Sequence, residues 1–392
     1  MSKQYRAVII GFAHMHVNHL AGLFGRHPQI DWAACADSSA NANVGDAADA
    51  GSCAAAGGAK AARAASEGQL TAPHTRTWNR DYVMRTENIS KLYGDWRKML
   101  AEQKPDLAIV ACENALHAEV AGECAGYGVH VCVEKPMAVS LEDAKTMAVA
   151  AKKAGTVILV NWPIAWNVAF RTAKALLEQG VIGRPLQLRW RSGHRGPLGA
   201  GVTHAAVNQA ADTMTDQQRG ATWWHQKATG GGAMLDYCCN GSMAGAWLFN
   251  ANAKCVMGMK SNLNSPWAEA DDNAFMLIQF PQAVAVVEAS WTTKHNGVEN
   301  GPIVYGTDGT LVASTYKETL RIEGADGRSG TVEMAVLPKG RATVAEEMVH
   351  HLDTGEELHP ILTPELNLSS MAILEAGIQS AQNGVLQAVE AI

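Results

Sequence analysis

The feature that most limits the fold of this chain is a regular alternation over its first 161 residues, where short apolar runs are separated by helix-like segments. The runs are AVIIG, DWAACAD, PDLAIVAC, VHVCVEKP and TVILVN. Buried strands of a parallel sheet read as near-continuous apolar runs of this kind, and their alternation with helices predicts βαβ units. Ligands of such sheets bind at the carboxyl ends of the strands, so the residues after each run are candidates for a functional site.

The pattern changes after residue 161. A helical segment is followed by longer amphipathic strands, such as LQLRWRS, AFMLIQF and AVAVVEASW, which are typical of a largely antiparallel sheet. A chain of 392 residues is long enough for two such domains. We expect an α/β protein with a parallel domain over 1–161 and a second α/β domain over 162–392, which contains a large, mostly antiparallel mixed sheet. A terminal helix is expected over 363–382.

Composition excludes several classes of partner. A net charge of −6 with 18% charged residues provides no basic stripe for a nucleic-acid backbone, and no apolar segment approaches the length of a membrane span. The eight cysteines form no CxxC pair and no zinc-ligand spacing. We therefore expect a cytoplasmic protein that binds neither nucleic acid nor membrane.

Two segments do not follow the alternation. Residues 38–68 are rich in Ala, Gly and Ser, and we interpret them as a helix, as a helix broken at Gly57 and Gly58, or as a mobile insertion. Residues 193–229 contain many Gly, His, Thr and Trp with little periodicity. Irregular segments on a scaffold often line binding sites, although a plain surface loop is an equally valid interpretation.

The first strand ends in a loop that resembles a dinucleotide fingerprint only in part. In Gly11-Phe12-Ala13-His14-Met15-His16 only Gly11 occupies a fingerprint glycine position, although Ala13 is a mild replacement for the second. Asp37 follows the second run at about the expected 20 residues, where a carboxylate can accept both ribose hydroxyls. A carboxylate there would repel a 2′-phosphate, which favours NAD over NADP.

The same loop suggests a different chemistry. His14, His16 and His19 form an HxHxxH pattern after a strand, and two such histidines can bind a catalytic divalent metal. A metal-dependent hydrolase using His14 and His16 is therefore an alternative. The later strand ends offer Asp37, His117 and Glu134 in no recognisable metal set, so we expect no metal site.

At Glu134-Lys135-Pro136 the pattern becomes specific, and the chain resembles the Gfo/Idh/MocA family of oxidoreductases. The resemblance extends over most of the chain: the Gly11 loop, Asp37, residues 111–117, the Glu-Lys-Pro motif, residues 180–183 and residues 230–236. It implies a Rossmann domain, an α/β domain with an open sheet, and Lys135 between nicotinamide and substrate. It also implies that the Lys135–Pro136 bond is cis. The cofactor residues implied are Gly11, Phe12, Ala13, His14, Asp37, Asn114, His117, Glu134 and Lys135.

The segment after the glycine run departs from the family pattern. In the family it commonly reads Asp-x-Gly-x-His, whereas here Asp236 is followed by Cys238 and Asn240. If residues 234–249 are helical, positions 236 and 240 share a face one turn apart. Asparagine cannot exchange a proton near neutral pH. We therefore expect proton transfer at Lys135, with a pKa lowered by burial and by the nicotinamide charge, while Asp236 and Asn240 orient the substrate.

Other polar and aromatic residues are candidates for substrate binding. Aromatic faces stack on pyranose rings, and Trp166 is the first choice among five tryptophans of the second domain. Arg195 would bind an anionic group. Tyr237, His194 and His225 are further candidates for proton transfer, although each is more typical of a structural residue.

The resemblance implies an NAD-dependent oxidoreductase acting on a CH–OH group of a sugar, cyclitol or glycoside, with NADP less favoured. The open sheet is expected to pair with another copy in a homodimer or homotetramer. Two further alternatives use the same fold: a glycoside-cleaving enzyme that oxidises, eliminates and re-reduces with a tightly held NAD, and a non-catalytic sensor that binds the cofactor.

Overall fold

The computed structural model describes residues 3–37, 70–315, 317–324 and 329–392. The Ala/Gly-rich segment over 38–68, interpreted above as a helix, a broken helix or an insertion, lies outside the described residues. None of the described helices is both long enough and apolar enough to cross a bilayer.

The first domain is built on a six-stranded sheet whose paired strands are all parallel. Its order is β3-β2-β1-β4-β5-β6, the doubly wound arrangement of a Rossmann domain. The strands are β1 (Tyr5–Ile10), β2 (Ile30–Ala36), β3 (Leu92–Tyr93), β4 (Leu107–Val110), β5 (His130–Glu134) and β6 (Ile158–Asn161). The helices between them are α1 (Val17–Gly25), α2 (Arg76–Thr86), α3 (Trp96–Gln103), α4 (His117–Gly126) and α5 (Leu141–Ala154).

Local sequence signals explain where these helices begin and end. Ser140 caps α5, because its side chain accepts a hydrogen bond from the backbone N–H of Asp143, and Gly155 ends the helix in the left-handed conformation. Glu142 and Asp143 lie in the first turn and two lysines in the last, as the helix dipole favours. Every residue of β4 is buried, as expected for a central parallel strand.

The second domain contains a nine-stranded sheet in the order β14-β13-β12-β11-β7-β10-β9-β8-β15. Its strands are β7 (Pro185–Gly193), β8 (Cys255–Ser261), β9 (Asn273–Gln279), β10 (Val284–Ser290), β11 (Gly301–Gly306), β12 (Gly309–Ser314), β13 (Thr319–Gly324), β14 (Ser329–Thr331) and β15 (Gln387–Ala388). Only β7 and β10 pair in parallel. The expected open, mostly antiparallel sheet is therefore confirmed.

Three helices pack against this sheet: α6 (Val168–Glu178), α8 (Cys239–Phe249) and α10 (Pro364–Asn383). The short helix α7 (Asp216–Ala221) precedes α8, and α9 (Val344–Thr354) packs on α1 of the first domain. The long helix α10 packs on β8, on α8 and on α5 of the first domain. Glu375 in α10 accepts a hydrogen bond from the backbone N–H of Leu141, which ties the last helix to the first domain.

Candidate active site

The candidate site lies at the carboxyl edge of the parallel sheet, where several strand ends meet the second domain. Gly11 follows β1, Asp37 follows β2, and Lys135 follows β5. Asp236 approaches this edge from the second domain. Because the carboxyl ends of parallel strands share one edge, residues far apart in sequence meet there.

The turn after β1 requires glycine. Gly11 has φ of +84°, and a Cβ there would lie 2.6 Å from the Cα of Cys112, so no larger residue fits without a shift. The rest of the loop is covered: Phe12, Ala13 and His14 are all buried. Much of this cover comes from Trp223, whose Nε1 donates to the Ala13 carbonyl at 2.8 Å. The irregular segment over 193–229 thus contacts the Gly11 loop.

Asp37 has a charged neighbour that the sequence does not reveal. Arg76, at the start of α2, donates to Asp37 Oδ1 at 3.2 Å and also forms an ion pair with Glu113. All three side chains are buried. Arg76 is 39 residues from Asp37, so no motif signals the pair. The carboxylate that would bind ribose therefore lies beside a cation, although two carboxylates surround that arginine.

The loop histidines meet Glu134. His16 Nδ1 lies 3.2 Å from Glu134 Oε2, and His14 Nε2 lies 3.9 Å from the same oxygen. The sequence shows no recognisable metal set, yet these three residues converge in the structure. However, His14 Nδ1 accepts the backbone N–H of His16 at 3.2 Å, which places the ring proton on Nε2, the atom that a metal would need. A hydrogen-bonded cluster describes the group better than a preformed metal site.

Lys135 and Asp236 form the central ion pair. Lys135 Nζ donates to Asp236 Oδ1 at 2.6 Å and to the Asp236 carbonyl oxygen at 3.0 Å. Only 5% of Lys135 and 7% of Asp236 is exposed, so the pair is desolvated. The Lys135–Pro136 bond is cis, as the resemblance implied.

Lys135 and Asp236 each shift the pKa of the other. Burial alone would lower the pKa of Lys135, but the charge and hydrogen bond of Asp236 raise it above its ordinary value. Burial alone would raise the pKa of Asp236, but Lys135 and the Trp291 N–H hold it below its ordinary value. The expectation of a lowered lysine pKa is therefore wrong for the protein by itself, because the carboxylate partner outweighs desolvation.

Asp236 lies on a π-helical turn over Met234–Cys238, a feature that is frequent at functional sites. Helix α8 continues directly from it. Asn240 Nδ2 donates to the Asp236 carbonyl at 3.2 Å, the same oxygen that accepts from Lys135. The structure thus brings Asn240 to the Lys135–Asp236 pair, on the helical segment expected over 234–249.

Trp291 is a member of the site that sequence reasoning missed. It follows β10, and its Nε1 donates to Asp236 Oδ2 at 3.1 Å. Each carboxylate oxygen of Asp236 therefore accepts a hydrogen bond, one from Lys135 and one from Trp291. The ring of Trp224 lies 6.3 Å from Trp291 and 4.8 Å from His14, which makes a continuous aromatic wall. A tryptophan at the end of a strand, as in EASW, was the available signal.

Two residues that were predicted to bind substrate lie outside the Lys135–Asp236 pair. Trp166 is half-buried, and the Arg171 guanidinium lies 5.4 Å from its ring centroid, so this face is already covered. Arg195 is exposed and donates to the Ala200 carbonyl at 3.1 Å. Neither forms part of the buried Lys135 pair as the structure stands.

The remaining cofactor candidates border the same edge. Asn114 Nδ2 donates to the Gly230 carbonyl at 2.8 Å, while its buried Oδ1 has no hydrogen-bond partner among the described residues. His117 is buried, and its Nδ1 lies 3.1 Å from the Pro136 carbonyl. An orphaned acceptor at Asn114 and a glycine-only turn at Gly11 fit a dinucleotide, which has an amide donor and needs a close backbone approach.

Comparison with known proteins identifies the family. A family model described as an oxidoreductase family with an NAD-binding Rossmann fold matches residues 5–162, and a GFO/IDH/MocA C-terminal domain model matches residues 170–312. The chain is 26% identical over 335 residues to a 1,5-anhydro-D-fructose reductase of Ensifer adhaerens, covering 83% of this chain and 92% of that protein. It is 25% identical to an NAD(+) scyllo-inositol 2-dehydrogenase of Bacillus subtilis, covering 64% and 67% of the two chains.

Solved structures show the same fold. An aldose-aldose oxidoreductase from Caulobacter crescentus complexed with glycerol superposes with a TM-score of 0.72 at 18% identity, covering 98% of this chain and 100% of the other. An oxidoreductase from Agrobacterium radiobacter in complex with NAD+, L-tartaric acid and magnesium gives 0.70 at 18% identity, covering 99% of each chain. The chain belongs to the Gfo/Idh/MocA family of oxidoreductases, whose N-terminal domain is an NAD-binding Rossmann fold.

Proposed function

We propose that the chain transfers hydride between NAD and a carbinol carbon of a sugar, cyclitol or glycoside. The observation that carries this proposal is the buried Lys135–Asp236 ion pair at the carboxyl edge of the Rossmann sheet, beside the Gly11 loop. Two relatives are named as enzymes of an anhydrosugar and an inositol, which supports a ring with several hydroxyl groups as substrate.

Bound NAD would supply the hydride acceptor, or NADH the donor. Because Asp236 raises the pKa of Lys135, the lysine is an ammonium group before substrate binds. In the reductive direction this ammonium would give a proton to the carbonyl oxygen as hydride arrives. In the oxidative direction Lys135 would first release its proton to solvent, and the neutral amine would then accept the hydroxyl proton as the hydride leaves. Asn240 would orient the substrate through hydrogen bonds only.

The residues that would hold NAD follow from their positions. The loop over 11–14 precedes α1, whose amino end favours the pyrophosphate. Asp37 would accept the ribose hydroxyls, while Asn114, His117 and Glu134 would lie on the nicotinamide side. Substrate contacts would come from Lys135, Asp236 and Asn240, and from Trp166 and Arg195 only if substrate reaches beyond the buried pair.

Cofactor preference tests the assignment of Asp37. Asp37→Ala should weaken NAD binding much more than NADP binding, because the variant loses the ribose contact and also loses the carboxylate that would repel a 2′-phosphate. Fluorescence titration of NADH and NADPH against both proteins measures this. Asp106→Ala, a change at a half-buried carboxylate that accepts the Arg6 backbone N–H, is the control. Equal NAD affinity in wild type and Asp37→Ala would contradict the role.

The activity itself can be tested with a panel of anhydrosugars, inositols, aldoses and methyl glycosides. Oxidation with NAD, or reduction of the matching ketones with NADH, should change the absorbance of the nicotinamide. Release of an aglycone without net NADH would instead favour the internal redox cycle, and NAD bound without any turnover would favour a sensor. A stoichiometric metal bound at His14 and His16, with hydrolysis, would contradict the proposal.

The second sheet offers a surface for a second copy of the chain. Its uncovered face exposes large apolar side chains on three neighbouring strands: Met257, Met259, Phe275, Leu277 and Val284. Phe275 pairs with Met259, and Leu277 with Met257, so they form one strip, and such strips mark protein interfaces. We propose a homodimer, or a homotetramer, through this face. Light scattering should show the oligomer in wild type and a smaller species for Leu277→Lys.

The seven cysteines among the described residues are free thiols. Most of them are buried within the two domains. This supports a reducing compartment, and we propose that the protein acts in the cytoplasm.

A further inference from the structure

Three histidines extend from the ion pair into the first domain, and none of them has a role in the steps above. His194 packs edge-on against Tyr237 with ring centroids 5.0 Å apart, and Lys135 Nζ lies 6.0 Å from the centroid of the same tyrosine. His204 lies 6.4 Å from His194, and His74 lies 4.8 Å from His204. We call His194, His204 and His74 the histidine row.

Each ring of the row has one nitrogen held by the backbone. His194 Nδ1 accepts the Gly196 N–H at 2.8 Å. His204 Nε2 donates to the Pro197 carbonyl at 2.7 Å, and His74 Nε2 donates to the Gln209 carbonyl at 2.6 Å. A neutral imidazole has one donor and one acceptor. The row therefore presents an Nε2–H donor at His194 and Nδ1 acceptors at His204 and His74.

This arrangement suits binding better than proton relay. A relay needs one nitrogen to accept a proton while the other releases one, and a ring held by a carbonyl or an amide cannot do both. His74 gives a second indication. Only 1% of it is exposed, its Nδ1 has no hydrogen-bond partner among the described residues, and its φ is +70°. A buried acceptor without a donor is unfavourable unless a ligand compensates, whereas the left-handed backbone is a conformation that histidine adopts more readily than most residues.

The row carries no charge at neutral pH. Burial lowers the pKa of His194 to about 4 and of His204 to about 3. Burial also lowers the pKa of His74. Asp236 opposes this shift at His194, while Lys135 adds to it. The row therefore offers no cation to an anionic group. The nearby Arg195 side chain is exposed and donates to the Ala200 carbonyl.

We propose that the histidine row binds the hydroxyl groups of an uncharged, hydroxyl-rich substrate beside the carbon that reacts. Hydroxyls can both donate and accept, so they match the donor at His194 and the acceptors at His204 and His74. The inference rests on the proposed function and narrows its substrate class, since carboxylated sugars would be poor ligands.

The test uses the panel substrate that the wild-type enzyme turns over, with NAD. His194→Phe and His74→Phe should each raise KM at least tenfold, with kcat changed less than threefold. His194→Gln, which keeps a donor near the Nε2 position, should stay within threefold of wild type in KM. The control is His359→Phe, because the pKa of His359 is also lowered to about 4 but the ring packs against Trp247 elsewhere.

The carboxylated analogue of the same substrate should have a KM at least tenfold higher than the neutral one. Unchanged KM in both Phe variants, or preference for the carboxylated analogue, would overturn the inference while the proposed function stands. No turnover of any panel member by wild type would overturn both. If the Phe variants do not fold, ¹⁵N spectra of histidine-labelled wild type provide the test. The His74 and His204 Nδ1 resonances should shift when substrate is added. Unshifted resonances would overturn the proposed role of the histidine row.

Discussion

At the scale of single residues, the chemistry of the site depends on how Asp236 is held. One of its oxygens accepts from Lys135 and the other from Trp291, and its carbonyl accepts from Lys135 and Asn240. A carboxylate with this many donors stays ionised. Because it stays ionised, Lys135 stays protonated, which makes the lysine a proton donor before any substrate arrives.

Removal of Lys135 should therefore stop turnover while cofactor binding remains. General acid–base groups contribute typically about 10²- to 10⁴-fold in rate, so Lys135→Met should lose at least that much in kcat. NADH titration should give an affinity close to wild type. Lys145→Met, at a partly exposed lysine paired with Glu390, is the matched control. Near wild-type kcat in Lys135→Met would contradict the role of the lysine.

The neighbours of the lysine should differ in importance. Asn240→Ala removes one neutral hydrogen bond, worth roughly 0.5 to 1.5 kcal/mol or about tenfold or less in rate. Asp236→Ala removes the carboxylate that keeps the lysine protonated, and should be far worse. Both variants are assayed on the same substrate across pH. A loss of several orders of magnitude in Asn240→Ala, with little in Asp236→Ala, would reverse the assignment.

Single residues also show what the sequence can and cannot reveal. Lys135 and Asp236 were predicted because motifs mark them, whereas Arg76 and Trp291 are brought in by tertiary structure from positions that carry no motif. In the protein without cofactor the pKa of Lys135 is raised and not lowered, because burial can be inferred from a strand-end pattern but a partner 101 residues away depends on the fold. His14, His16 and Glu134 were each noticed, but their convergence needs the sheet edge.

At the scale of elements, the strands were predictable and the special turns were not. Buried parallel strands such as β4 appear directly as apolar runs. The π-helical turn that carries Asp236 depends on tertiary contacts instead: Asp271 accepts the Met234 N–H at 2.8 Å, and its carbonyl accepts the Ala233 N–H at 2.9 Å. A residue from the loop before β9 thus binds the start of the π-helical turn that leads into α8, which no local pattern indicates.

The packing of α10 on β8 gives a prediction at this scale. A Cβ at Gly258 in β8 would overlap the Gly377 carbonyl of α10, and backbone cannot move aside as a side chain can. Gly258→Ala should lower the free energy of unfolding by about 1–3 kcal/mol or more. Gly122→Ala, where a Cβ in α4 meets nothing within 4 Å, should instead gain roughly 0.5–1 kcal/mol. Urea unfolding of both variants checks the contrast, and equal stability of the two would contradict the close approach.

At the scale of the whole molecule, the site exists only because the two domains are fixed against each other. Trp223 from the second domain donates to the Ala13 carbonyl in the first. His74 in the first donates to the Gln209 carbonyl in the second. The parallel sheet and the mostly antiparallel sheet followed from the pattern of runs, but these contacts between the two parts of the chain lie in the irregular segment over 193–229. Such a segment has no periodicity from which its course can be predicted.

The same interior should make the folded molecule sensitive to acid. His194, His225 and His359 have pKa values lowered to about 4, and His204 to about 3, with burial as the main cause. In the unfolded chain each would titrate near its ordinary pKa of about 6.5. Above that pH both states are neutral at these sites, so the histidines do not affect stability.

As the pH falls from about 6.5 towards 4, these histidines bind protons in the unfolded chain but not in the folded protein. Each such histidine then removes up to about 1.4 kcal/mol of stability per pH unit. The lowered pKa values of Asp236 and Glu134 have the same sign, because their contribution is lost at still lower pH. The urea midpoint is measured at pH 7.5, 6.5, 5.5 and 4.5, about one pH unit apart. It should be constant between the first two pH values and then fall steeply. The midpoint of His359→Gln should fall less steeply with pH than that of wild type. The difference should correspond to less than one proton, since this ring is only partly buried. A midpoint unchanged between pH 6.5 and 4.5 would mean that these histidines are charged in the folded state, and that the neutral interior described for the histidine row is wrong.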